Sequence, residues 1–279
     1  MNKRILIPTD FSKNALNAVR YAIDLYAKLH CDFYFLNVFS VESYTNTNLL
    51  MPDEDSEVFI RAKEKSEKNF LKLLESLAAH GDNFKHNFFT ISTCSFLSEA
   101  IKKIIAEKDI ELVVMGTHGA SGSRGSLMGS NTVMAMEKIR ECPVMAIPSE
   151  YSFSPPTEIV FPTDYKDAFK RTELRYLMEI AKMHEANIAV LHLNMSKELS
   201  QMQEDNKKLL HAILGEVAHD FHVLPERNLA KGIQSFVEER NSDIIAFINH
   251  KHFFFSSVFT KPLVKAIGYD STIPILALH

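Results

Sequence analysis

Five of the nine glycines in this 279-residue chain fall in one short stretch, GTHGASGSRGSLMGS, running from Gly116 to Ser130. Glycine loses more conformational freedom on folding than any other residue, so a cluster marks backbone that turns sharply or lies against a ligand. The apolar run before it, Leu112 to Met115, reads as a buried strand. Val133 to Ile139, after it, reads as a helix closing on Lys138 and Arg140, charges that suit a helix C-terminus. Strand, glycine loop and helix start together offer unshielded backbone N–H groups to phosphate oxygens. A flexible surface loop with no ligand is the rival reading, but hydroxyls, glycines and a following helix agree on one purpose.

The known phosphate loops discriminate further. A Walker A loop requires Gly-x4-Gly-Lys-Ser/Thr, and no lysine ends this loop; the dinucleotide fingerprint requires Gly-x-Gly-x-x-Gly, and no two glycines here are one residue apart. The spacing present is Gly116-x2-Gly119-x9-Gly129-Ser130. In such a loop Gly119 and Gly129 would let backbone amides approach a phosphate closely, and Ser130 and Thr132 would add hydroxyl donors at the helix start. Arg124 is the one formal positive charge inside the loop, so a triphosphate would call for Mg²⁺ as well. Arg124 could equally be a solvated surface charge.

The elements that must position this loop alternate strand and helix. Arg4 to Asp10 is a short apolar strand ended by Pro8-Thr9-Asp10. Ala15, Leu16, Val19, Ala22, Ile23 and Tyr26 then fall on one helical face. Phe33 to Val38 reads as a second strand, and the polar run Glu42 to Asp55 as a mobile loop. A helix with Phe59, Phe70, Leu73, Leu74 and Leu77 inward ends at Gly81, a C′ glycine in this reading. Asn87 to Thr93 is a third strand; Phe96, Leu97, Ala100, Ile101, Ile104 and Ile105 mark a third helix; Pro143 to Ile147 is the last strand. Alternation of this kind predicts a parallel sheet with helices on both faces.

Then the pattern restarts. After the proline-containing segment Ser152 to Pro156, Glu158 to Asp164 repeats the opening strand with its Pro-Thr-Asp ending. Leu36-Asn37-Val38 is echoed by Leu191-His192-Leu193, and Cys142 to Ile147 by Ile273 to Leu278. A repeat of this length is a domain duplication. The expected boundaries are residues 1–149, with the glycine loop, and residues 157–279, a degenerate copy.

Bulk numbers narrow the function classes. The chain is 46% hydrophobic and 24% charged, an ordinary globular profile, and its formal charge of −4 argues against nucleic-acid or anionic-membrane surfaces. Cys31, Cys94 and Cys142 lie far apart without metal-ligand spacing and read as small apolar residues of a reducing compartment; oxidation sensing at Cys142 is the minor alternative. The apolar run after Lys3 and Arg4 is too short for a signal peptide, and no stretch approaches a membrane span, so a cytoplasmic location is expected.

Ile7-Pro8-Thr9-Asp10-Phe11-Ser12, Leu36-Asn37-Val38 and Val114-Met115-Gly116-Thr117-His118-Gly119, in that order and ahead of Gly129-Ser130, resemble the universal stress protein family over nearly the whole chain, as a tandem. Asn37 stands where the family more often has His. The resemblance implies two Rossmann-like domains of the adenine nucleotide alpha hydrolase type, each a five-stranded parallel sheet of order 3-2-1-4-5, with a ligand crevice between the first and fourth strands. Carried over, it implies that Asp10, with Thr9 before it, and Val38 flank an adenine, that Met115 and Gly116 lie near the ribose, and that His118, Gly119, Gly129, Ser130, Asn131 and Thr132 surround the phosphates of ATP, ADP or AMP. Against this, Asp10 could simply cap the next helix, and His118 could fill the loop. The resemblance also implies that the fifth strands, Val144–Ile147 and Ile275–Leu278, pair the two domains; a homodimer is possible on top of that.

The second copy breaks the motif. Ile248, Lys251 and Thr260 align with the three signature glycines, and their side chains would occupy the space a phosphate needs, so this copy is not expected to bind ATP in the same way. His250 and His252 lack a third metal ligand, and Phe253 to Phe255 are expected to pack into the vacated crevice or to form an apolar pocket or contact patch. The chain therefore reads as an adenine-nucleotide-binding regulatory or sensor protein. A weak ATPase or phosphoryl-transfer enzyme is disfavoured, because the loop supplies one Arg, one His and no Walker-type lysine. A nucleotide-free scaffold is the remaining alternative.

Overall fold

The computed structural model describes residues 2–40, 54–79, 81, 83–117, 129–193, 198–224, 229–249 and 271–279. The strands are β1 (Lys3–Pro8), β2 (Cys31–Phe39), β3 (His86–Cys94), β4 (Leu112–Gly116), β5 (Val144–Ile147), β6 (Glu158–Thr163), β7 (Asn187–Leu193), β8 (His219–Leu224), β9 (Ile244–Ile248) and β10 (Ile275–Leu278). The helices are α1 (Lys13–Leu25), α2 (Glu57–Ala78), α3 (Leu97–Lys108), α4 (Ser130–Lys138), α5 (Arg175–His184), α6 (Gln201–Leu214) and α7 (Leu229–Arg240).

The ten strands form one sheet in the order β3-β2-β1-β4-β5-β10-β9-β6-β7-β8. Each half alone therefore has the parallel order 3-2-1-4-5, and the halves meet where β5 runs antiparallel to β10, with Met145 opposite Leu276. That pairing removes two exposed sheet edges. Strands buried on both faces read as unbroken apolar runs, as β4, β5, β9 and β10 do. Successive strand residues feed opposite layers. Ile5, Ile7 and Val114 pack with α1 and α2, whereas Leu6, Val113 and Met115 pack with α3 and α4. In the second half α5 and α6 cover the first of these faces and α7 the other.

Several sequence expectations need correcting in detail. The helix after the glycine loop begins at Ser130, three residues before Val133. Gly81 has φ 133°, but it stands two residues past the Ala79 cap, not at C′. Phe96, expected on the inward face of α3, is its N-cap residue and is 64% exposed. The proline-containing segment 152–156 and the residues just before it pack against α1. Phe153 sits edge-on to Tyr21 of α1 with ring centroids 5.4 Å apart, and Asn17 Nδ2 donates to the carbonyls of Pro148 and Tyr151. Among the described residues, no helix is long and apolar enough to cross a membrane.

Candidate functional site

Both halves build the same turn after their first strand. In the first half, Thr9 Oγ1 accepts from Phe11 N at 3.0 Å and Asp10 Oδ1 accepts from Ser12 N at 3.0 Å. In the second, Thr163 Oγ1 accepts from Tyr165 N at 3.1 Å and Asp164 Oδ1 accepts from Lys166 N at 3.0 Å. These two side-chain bonds let the third residue take the left-handed conformation, with φ 62° at Phe11 and 57° at Tyr165. The rival reading of Asp10 as the cap of α1 is corrected here. Ser12 is the cap, its hydroxyl accepting from Ala15 N, while Asp10 shapes the turn that delivers it. Asp10 is exposed at the end of β1, beside the buried Thr9.

The sheet order reverses between β1 and the adjacent parallel β4, the place where open α/β sheets take ligands. Met115 is buried in the sheet, and Gly116 closes β4. A Cβ on Gly116 would come within 2.9 Å of the Asn14 side chain on α1, so glycine is required here by close helix packing. Val38, half-buried at the end of β2, packs on the α3/α4 layer.

The start of α4 lies against the end of β4. Gly129 is its N-cap, in an extended conformation and with no side-chain hydrogen bond to the first turn, which carries no acidic residue. Gly129 N donates to Thr117 O, and Thr117 N donates to Ile147 O at 3.0 Å, which ties the helix start to the ends of β4 and β5. Ser130 and Asn131 are exposed in that first turn. Thr132, by contrast, is buried, and its hydroxyl donates to Gly116 O at 2.7 Å. Its expected role as a phosphate donor therefore gives way to a structural one: it pins the end of β4 to α4. His118, Gly119 and Arg124 lie outside the described residues.

In the second half the register β6–β9 places Ile159 opposite Ile244, as Ile5 lies opposite Leu112. Counting along β9, Ile248 is the counterpart of Gly116, and it is buried. Lys251, Thr260 and the run His250 to Phe255 lie outside the described residues. Among the described residues no group of three or more His, Cys, Asp or Glu could hold a metal ion. Burial pushes the thiols of Cys31 and Cys142 up to about 12, which disfavours the reactive thiolate that redox sensing at Cys142 would need.

The comparisons agree with this architecture. A universal stress protein of Methanocaldococcus jannaschii is 27% identical over 146 residues, covering 52% of this chain and 81% of that protein. The crystal structure of a universal stress protein from Archaeoglobus fulgidus superposes with a TM-score of 0.68 at 16% identity, covering 98% of this chain and 95% of that one. A functionally unknown protein from Pseudomonas aeruginosa PAO1 gives 0.59 at 10% identity, covering 99% and 92%. At such identities these structures speak for the fold alone. The universal stress protein family model matches residues 1–148, which is more than half the chain. The chain belongs to the universal stress protein family.

Proposed function

We propose that the first half binds an adenine nucleotide, ATP, ADP or AMP, and that its occupancy makes the chain a regulatory or sensor module in a stress response. The observation that carries this reading is the start of α4. Its N-cap is a glycine and so brings no capping side chain, no acidic residue stands in its first turn, and it is fastened to the ends of β4 and β5. Backbone amides and the helix dipole at such a place favour an anion. Phosphates would rest on the first turn, at Gly129, Ser130 and Asn131, with His118 and Gly119 on the loop side. The ribose would lie against Met115 and Gly116, and the base between Val38 and the Thr9-Asp10 turn. A magnesium ion would arrive with the nucleotide, held by phosphate oxygens and water rather than by a ready-made cluster of acids. Binding is favoured over turnover, since the glycine loop carries one Arg, one His and no Walker-type lysine to neutralise a transferred phosphoryl group.

The test is thermal. ATP, ADP and AMP, with and without Mg²⁺, should raise the melting temperature, because a ligand that binds only the native state adds about 2.7 kcal/mol at a hundred times its Kd. Gly129→Val, whose backbone φ of −68° is open to valine, should keep the fold and lose the shift. A full shift in that variant overturns the assignment. Phosphate release above background that disappears in the same variant would favour the enzyme instead.

A further inference from the structure

The second half contains a cavity of about 520 Å³, lined by residues of the β6 turn, the end of β7, the N-terminal part of α6 and the end of β8. Two of its lining side chains are almost fully buried, His192 at 3% exposure and Tyr165 at 1%, and their rings stack 4.6 Å apart. His192 Nδ1 lies 3.2 Å from Thr163 O. A carbonyl only accepts, so Nδ1 carries the proton and Nε2 of the neutral ring is an acceptor. Among the described residues, neither His192 Nε2 nor the Tyr165 hydroxyl has a hydrogen-bond partner.

The first half is an internal control. Strand registers set Asn37 and Ser92 opposite each other where the second half has His192 and Val223. Asn37 Oδ1 accepts from Ser66 Oγ at 2.8 Å, and Ser66 Oγ is 2.8 Å from Ser92 Oγ, so that network is closed. Phe11, the counterpart of Tyr165, brings no polar atom. Among the described residues, the second copy has thus replaced a closed network and an apolar ring with two buried polar atoms that lack partners. Each such atom has given up its hydration and is destabilising unless something answers it. The walls are fixed, since Asn206 Nδ2 donates to Tyr165 O at 2.8 Å and Gln203 Nε2 to Asp164 O at 2.7 Å, holding α6 to the turn. Two carboxylates, Glu198 and Glu204, face the cavity against one lysine, Lys207, whose ammonium sits 5.2 Å from the centre of the Phe221 ring.

From this juxtaposition of orphaned His192 and Tyr165 with Glu198, Glu204 and an aromatic wall, we propose that the second half holds a small-molecule site of its own, for a planar compound that bears N–H donors and no negative charge, an amidine or aminated heteroaromatic ring. A donor on the ligand meets His192 Nε2, the Tyr165 hydroxyl meets the same group or its neighbour, and the flat body lies along Phe221. The two glutamates repel an anionic ligand. The site is independent of the nucleotide reading of the first half.

The experiment compares benzamidine with benzoate, two ions of one shape and opposite charge, on the full-length chain. Side-chain NMR of labelled histidine is followed during each titration. Benzamidine should move the His192 Nε2 signal saturably, and benzoate should not. His192→Asn and Tyr165→Phe install the residues that the first half already folds with, so they test the site without removing the fold; each should weaken benzamidine binding by about tenfold, the worth of one buried hydrogen bond. An unmoved His192 signal, equal binding of benzoate, or undiminished benzamidine binding in the double variant would each overturn the proposal.

Discussion

Asn37 and His192 stand at the same step of two copies of one strand, and each donates to the carbonyl of the threonine that ends its neighbour: Asn37 Nδ2 to Thr9 O at 2.7 Å, His192 Nδ1 to Thr163 O at 3.2 Å. The amide cannot titrate, whereas the imidazole can. Burial holds His192 below the ordinary histidine value of 6.5, and the same cause lowers His86 and His184. As pH falls through 6.5, the unfolded chain takes up protons that the folded chain refuses, so stability must decline. Glu158 is held below its ordinary 4.5, the Arg240 and Ser242 hydrogen bonds outweighing burial, so its stabilisation is lost only at more acid pH. Between about pH 7 and pH 5 the histidines should govern the slope. Urea melts across that range should show stability falling for the wild type and falling less steeply for His192→Asn. Equal slopes would mean that His192 is protonated in the folded state too.

Gly116 tests whether the glycine signature is about ligand or about packing. Its absent Cβ would lie 2.9 Å from Cγ and Nδ2 of Asn14. Gly116→Ala should cost about 1–3 kcal/mol through overpacking. In an Asn14→Ala background the cost should shrink, because the obstructing atoms are gone. A double-mutant cycle measured by urea denaturation gives the coupling. Additive losses would place the requirement for glycine elsewhere.

The repeat was legible because Pro-Thr-Asp ends the first strand of each half, at Pro8 and at Pro162, and because β5 and β10 carry the same apolar run after proline. Helix faces followed from spacing alone where the residues lie inside the element, as Phe70 and Leu73 do. The interior of the site was less legible. Nothing in the sequence tells a Thr132 hydroxyl to face Gly116 O instead of solvent, or sets Asn14 against Gly116, because both pairings join separate elements. Asp10 and Ser12 are both good caps, and only the backbone turn at Phe11 decides between them. The cavity of the second half left no motif at all. It arises from the loss of a serine partner and the gain of a hydroxyl on a stacked ring, which is visible only once the two halves are superposed.

Lys3 joins the halves by charge. It is 7% exposed, its ammonium lies 2.6 Å from Glu179 Oε1 of α5, off the hydrogen-bonding direction, and it sits 4.5 Å from the Tyr176 ring centre and 5.2 Å from that of Tyr26. Removing one member of such a pair strands the other. Lys3→Met should cost on the order of 2 kcal/mol, less than the ~3–5 of a fully buried pair because Glu179 keeps some contact with water. Adding Glu179→Gln should recover part of the loss. If Lys3→Met alone is neutral in a thermal melt, the cation is held by the aromatic rings and not by the carboxylate.

The far end of α4 is capped by the other half of the chain. The last carbonyls of a helix lack internal partners. Ile139 N answers Ala135 O, and the side-chain amide of Asn249, the residue after β9, answers Met136 O. Arg140 returns the contact by donating to Asn249 O and approaching His279 Nδ1 at 3.1 Å. Asn249 is buried, so Asn249→Leu should cost about 1–3 kcal/mol for the unanswered carbonyl. Asn249→Asp should cost more at neutral pH, because a carboxylate would face both Met136 O and the negative end of the helix dipole. Its deficit relative to the wild type should shrink as the solution is acidified, since protonation restores a donor and removes the charge. The leucine variant should show no such recovery. Equal deficits for the two variants at every pH would mean that Asn249 contributes volume and not a hydrogen bond, and that α4 ends without help from the second half.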